Sequence, residues 1–78
     1  MPEVLLFTKP DCQKCDWVKE RLPEGVEMQI LDATTTDGLA EAAFYEIIEE
    51  PFPVLVVDEE VVTGAIQIVD RLKSLCGN

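Results

Sequence analysis

The stretch Val4-Leu5-Leu6-Phe7-Thr8-Lys9-Pro10-Asp11-Cys12-Gln13-Lys14-Cys15 runs an unbroken apolar segment into a proline–aspartate break, then into two thiols three positions apart. A continuous apolar run such as Val4 to Phe7 predicts a strand buried on both faces. Pro10 and Asp11 end it, and from Gln13 to Leu22 the pattern turns helical, with Trp17, Val18, Arg21 and Leu22 spaced at about one turn. Pro23-Glu24-Gly25 closes that helix. Cys12 therefore falls at the N-terminal end of the helix, and Cys15 one turn inside it.

Downstream, Val26, Met28 and Ile30 alternate with Glu27 and Gln29, which predicts a half-buried strand. Thr34-Thr35-Thr36-Asp37 offers N-cap residues for a second helix. On it Ala40, Ala43, Phe44, Ile47 and Ile48 form the expected apolar stripe, with Glu41, Tyr45, Glu46 and Glu49 opposite, until Pro51 stops it. Val54-Leu55-Val56-Val57 is a second fully apolar strand, Asp58-Glu59-Glu60 a turn, and Val61-Val62-Thr63 a short return strand. After Gly64 a last helix is expected to bury Ile66, Val69, Leu72 and Cys76. The order β-α-β-α-β-β-α puts the two all-apolar strands at the centre of a four-stranded mixed sheet. Helices must cover both faces, giving a three-layer α/β/α sandwich.

At 78 residues the chain reads as one domain over 1–78, burying about 60% of its unfolded surface. Its 47% hydrophobic content is that of a globular protein. The start, Met1-Pro2-Glu3, lacks a basic n-region and no apolar run is long enough for a signal peptide or a membrane span, so the expected setting is the cytoplasm. Three cysteines leave one over from any internal pair, which argues against a secreted disulfide scaffold. A net charge of −10 and no histidine disfavour nucleic acid and anionic membranes as partners. A partner with a basic patch suits this surface, although acid also serves simple solubility.

The chemistry rests on the thiols. Orphan N–H groups of a first helical turn and the helix dipole favour an anion at Cys12. Cys15, on the same side, can attack a mixed disulfide formed there. A Cys-x-x-Cys beside a β-α pattern in a cytosolic chain is a redox signal of moderate specificity. Metal binding is the main rival, but structural zinc wants four ligands and a lone pair supplies two. A site shared between two chains, zinc or iron–sulfur, stays open, as does a carrier domain for heavy metals. Such carriers run β-α-β-β-α-β, so the form of the final segment discriminates: a helix favours redox, a strand favours the carrier. Lys9 and Lys14 can stabilise the thiolate or grip a substrate carboxylate, or stand as solvated charge; Trp17 reads as a partly exposed flank of the first helix or else as core, and Cys76 as a packed thiol.

The segment Phe7 to Cys15 resembles the active-site opening of glutaredoxins and their thioredoxin-fold relatives, and the element order extends the likeness through nearly the whole chain. Pro51-Phe52-Pro53 before the second apolar strand resembles the family's cis-proline segment, with Pro53 at the matching place. The resemblance implies a thioredoxin fold and thiol–disulfide oxidoreductase activity through a redox-active Cys12–Cys15 disulfide, with no other cofactor and no metal. It also implies Cys12 as nucleophile and Cys15 as resolving thiol. The candidate groove then comprises Lys9, Asp11, Lys14, Phe52, Pro53 and Gly64. Departures refine it. Asp11 stands where thioredoxins carry tryptophan, and Cys-Gln-Lys-Cys replaces the common Cys-Pro-Tyr-Cys. Thr63-Gly64-Ala65-Ile66-Gln67 keeps one glycine of the glutathione-holding pair and no acid after it. In this the chain resembles the small glutaredoxin-like redoxins that serve ribonucleotide reductase. The expected partners are a disulfide-containing protein and a reductase of the thioredoxin-reductase type, in preference to glutathione, with the protein itself a monomer.

Overall fold

In the computed structural model, which describes residues 3–75, the chain runs β1 (Val4–Thr8), α1 (Gln13–Lys19), β2 (Gln29–Asp32), α2 (Thr36–Phe44), β3 (Val54–Val57), β4 (Glu60–Thr63) and α3 (Ala65–Leu75). The sheet order is β2-β1-β3-β4, with β1 parallel to β2 and antiparallel to β3. The two strands built on the apolar runs are central and buried throughout, as their composition predicts. Their side chains alternate between two cores. Leu6, Leu55 and Val57 meet Val18 of α1 and Ile68 and Leu72 of α3 on one face. Leu5, Phe7, Val54 and Val56 meet Ala42 of α2 and Ile47 on the other. Helices thus cover both faces, and the chain ends its described part on a helix, the form that favours redox over a metal carrier.

Several element boundaries and two buried faces differ from the expectation; β1 runs on to Thr8, and β4 takes in Glu60, expected in the turn, because Glu60 pairs with Val57. α1 stops at Lys19 rather than Leu22, with Glu20 as C-cap. Pro23 disfavours helical backbone at Leu22, which packs on the first core from outside the helix. β2 begins only at Gln29, pairing with Leu5 to Thr8 of β1. Val26 and Met28 still pack on the first core, but Ile30 at the sheet rim is exposed.

The expected stripe of α2 is the larger correction. Gly38 and Ala42 are its buried residues, whereas Ala40, Ala43 and Ile48 are exposed and Phe44 is 72% exposed. The helix is terminated early by a left-handed residue, Glu46 at φ 59°. The Glu46 N–H donates to the Ala43 carbonyl at 3.1 Å and the Ile47 N–H to the Ala42 carbonyl at 2.9 Å, a Schellman turn. Ile47 is thereby folded back into the second core, and Tyr45, expected on the polar side, joins it edge-on to Phe7 at 6.3 Å. In α3 the buried face is Ile68, Val69 and Leu72, with Ile66 turned outward. Cys76 lies outside the described residues.

Local sequence explains the entry to α2. The Thr35 hydroxyl donates to the Asp32 carbonyl at 2.8 Å and accepts from the Gly38 N–H at 3.1 Å, capping the helix. Asp32 Oδ1 accepts from the Thr34 N–H and hydroxyl, and these bonds, side chain first, lower the Asp32 pKa. A β-carbon at Gly38 would overlap the Asp32 carbonyl. Gly38→Ala should therefore cost about 1–3 kcal/mol as the helix is pushed off the strand end, read from urea unfolding midpoints. The β3–β4 loop is the reverse case. Asp58 and Glu59 join strands paired at Val57 and Glu60, and both have positive φ, 47° and 70°. Glycine suits the second site of such a turn, so Glu59→Gly should raise stability by about 0.5–1 kcal/mol in the same measurement.

Candidate functional site

Cys12 caps α1 with its sulfur. Its backbone is extended, its carbonyl accepts the Asp16 N–H at 3.1 Å, and its Sγ accepts the Cys15 N–H at 3.1 Å. The preceding Asp11 adopts a left-handed φ of 56°, a conformation aspartate tolerates better than most residues. It turns the chain from β1 into the helix.

Cys12 and Cys15 form a disulfide, with Cα atoms 5.2 Å apart, inside the range such a bridge requires without backbone movement. Cys12 is 8% exposed and Cys15 0%. A reactant arriving from solvent therefore meets Cys12 first. The cap also has a chemical consequence when the pair is reduced. An N–H aimed at a sulfur stabilises its thiolate over its thiol, and a helix N-terminus works in the same direction.

The second component comes from the loop before β3. Pro53 is buried, Phe52 is half-buried against the second core, and the peptide bond between them is cis. The Cys12 Sγ lies 3.7 Å from the Phe52 carbonyl, so the reduced Cys12 thiol has an acceptor there. Residues 40 positions apart meet because Phe7 pairs with Val54, placing both loops at one end of the central strands.

The remaining predicted residues separate. Lys9 and Asp11 are exposed, and among the described residues neither makes an ion pair or side-chain hydrogen bond. Lys14 is exposed on α1 and lines a cleft of about 420 Å³ with Trp17, Ala65, Ile66 and Gln67. Gly64, at φ 87°, accepts the Ile68 N–H through its carbonyl at 2.9 Å and so begins α3 beside that cleft. Arg21 stacks its guanidinium 4.1 Å from the Trp17 ring centre, a cation–π contact. Sequence reasoning missed Ala65, Ile66 and Gln67 as a wall. With isoleucines at both 66 and 68, apolar spacing alone does not choose which one faces the sheet. No group of three or more metal-ligating side chains is present among the described residues.

No family model matches the chain. No curated protein matches it either. Among solved structures it is similar to a point variant of the thioredoxin-like protein BC3987, with a TM-score of 0.70 and 26% identity over 96% of this chain and 100% of that one. The unmodified BC3987 gives 0.69 and 29% over 90% and 99%. A disulphide isomerase from Xylella fastidiosa Temecula1 gives 0.66 over 97% and 79%; at 18% identity this likeness concerns the fold alone. The fold is thioredoxin-like, and the close cysteine pair at its helix cap fits a thiol–disulfide redox role.

Reduced Cys12 should titrate below the ordinary cysteine value of about 8.5, because its thiolate accepts the Cys15 N–H. Thiolate absorbance against pH, with Cys15→Ser to isolate the signal, checks this; a midpoint at or above the ordinary value would contradict it.

Proposed function

We propose that the protein is a small dithiol redoxin that reduces disulfides of partner proteins. The observation that carries this is the pairing of a helix-capping Cys12 with a buried Cys15 in a thioredoxin-like fold. The Cys12 thiolate attacks a sulfur of the substrate disulfide, forming an intermolecular S–S bond and expelling one substrate thiolate, which takes up a proton. Cys15 then loses its proton and attacks the Cys12 sulfur. The internal disulfide forms, the second substrate thiolate leaves, and two electrons have passed from protein to substrate. The greater exposure of Cys12 supports its role as nucleophile. On this reading Phe52 and Pro53 border the groove, and the Phe52 backbone offers strand-like pairing to an extended substrate segment. Lys9, Asp11, Lys14 and Gly64 complete its rim.

The electron donor in this reading is a protein reductase of the thioredoxin-reductase type. Glutathione is disfavoured because the first turn of α3 holds no acid to meet its amine. Loss of one charge-assisted hydrogen bond costs about 1.5–3 kcal/mol, roughly 10- to 100-fold in affinity. An overall charge of −10 also steers a basic docking patch toward the protein. The protein works as a cytoplasmic monomer with no cofactor beyond its own disulfide. The metal-carrier alternative is disfavoured by the terminal helix.

Two measurements test this. In NADPH-coupled assays, turnover should be faster with a thioredoxin-reductase-type enzyme than with millimolar glutathione and its reductase, and should slow as salt rises; efficient reduction by glutathione alone overturns the donor assignment. Cys12→Ser should abolish reduction, whereas Cys15→Ser should accumulate a mixed disulfide through Cys12, detectable by intact mass. Absence of that adduct contradicts the assigned order of attack.

A further inference from the structure

We infer that the cleft between α1 and the start of α3 receives an apolar, acidic segment of the disulfide substrate, with Lys14 meeting its carboxylate and Trp17 and Ile66 meeting its apolar side chain. This deepens the redox reading above and rests on it. Lys14, one of the residues lining the cleft, follows Cys12 by two positions at the start of α1, a rise of about 3 Å along the helix. The cleft volume of about 420 Å³ suits one or two side chains of a bound segment. Ile66 is 65% exposed there, on a helix whose Ile68 is fully buried. The wall is largely apolar, which a small polar tripeptide such as glutathione does not exploit.

Charge selects the segment further. Among the lining residues the single charged group is Lys14, and no ion pair engages it among the described residues. The first turn of α3 contributes no acid. Behind Trp17 stands the Arg21 guanidinium, partly balanced by Glu20 at 3.6 Å. Four of the six cationic residues fall between positions 9 and 21, against three of the sixteen acids, so this segment is near neutral in a chain of net charge −10. A substrate carboxylate is repelled by the acidic remainder at long range, but salt screens that repulsion beyond about 8 Å. At contact the carboxylate gains a charge-assisted bond to Lys14. A basic segment is drawn to the protein as a whole yet finds no carboxylate in the cleft. Selection therefore occurs at contact and not during approach.

The test uses three matched peptides, each holding one internal disulfide with leucine beside it, followed by Glu, Gln or Lys, and 2-hydroxyethyl disulfide as a neutral small substrate. Single-turnover reduction by the pre-reduced protein is followed by acid quench and chromatography. The Glu peptide should react about 10-fold faster than the Lys peptide at physiological ionic strength, where the screening length is about 8 Å, with Gln between, and the gap should narrow near 1 M salt, where the screening length is about 3 Å. Lys14→Glu should reverse the order; both substrates meet the same thiolate, so any change in Cys12 reactivity cancels in the ratio. Ile66→Ser should slow all three peptides roughly 5- to 10-fold relative to hydroxyethyl disulfide. Equal rates for the Glu and Lys peptides, an unchanged ratio in Lys14→Glu, or oxidised glutathione reacting as fast as the Glu peptide, with hydroxyethyl disulfide still reduced, overturns the inference and leaves the redox reading standing. Failure to reduce hydroxyethyl disulfide overturns both.

Discussion

The antiparallel pairing of β1 with β3 is the constraint from which the remaining architecture follows. β3 is apolar throughout, β1 is apolar from Val4 to Phe7, and every position of both is buried, so neither can lie at an edge with one face in water. Pairing Leu6 with Leu55 and Phe7 with Val54 sends alternate side chains into two cores. Each core then needs a cover. α1 and α3 supply it on one face, and α2 with the returning Ile47 on the other. The same register sets the site, because extending past Phe7 and before Val54 brings Cys12 and Phe52 to a common end of the sheet.

The site uses a helix terminus economically. A cap position normally asks for an oxygen acceptor such as serine, threonine, aspartate or asparagine, and here a sulfur takes the place. One N–H, that of Cys15, thus closes the helix and aims at the atom whose negative charge matters. Burial then distinguishes two identical functional groups, one in reach of solvent and one fully buried beside it. The segment that carries the pair is near neutral within an acidic chain, four of the six cations falling between positions 9 and 21.

The second face shows how little burial α2 needs. Gly38 and Ala42 are small, so the helix approaches the sheet closely and leaves Phe44 in solvent, in edge contact with Tyr45 at 4.9 Å. Tyr45 in turn donates to Glu3 at 3.3 Å. Burial, and secondarily Glu3, raises its pKa, so it remains the neutral donor this contact requires.

The sequence by itself determined the order of elements, the central place of β1 and β3, and the position of Cys12 at a helix start. Those features depend on short-range properties: continuous apolarity, proline breaks and cysteine spacing. Pro53 was legible through its resemblance to a known segment, not through any local property. Tertiary structure alone decided which residues of α2 and α3 face inward. Ala40, Phe44 and Ile48 obey helical spacing as well as Gly38 and Ala42 do, but α2 is stopped by the left-handed Glu46 and is seated by the contact of Gly38 with Asp32. Ile66 and Ile68 are equivalent by composition; the lie of α3 against α1 and the sheet buries one and leaves the other in the cleft wall. Periodicity records that a helix has an apolar face, whereas the choice of face is set by partners distant in the chain.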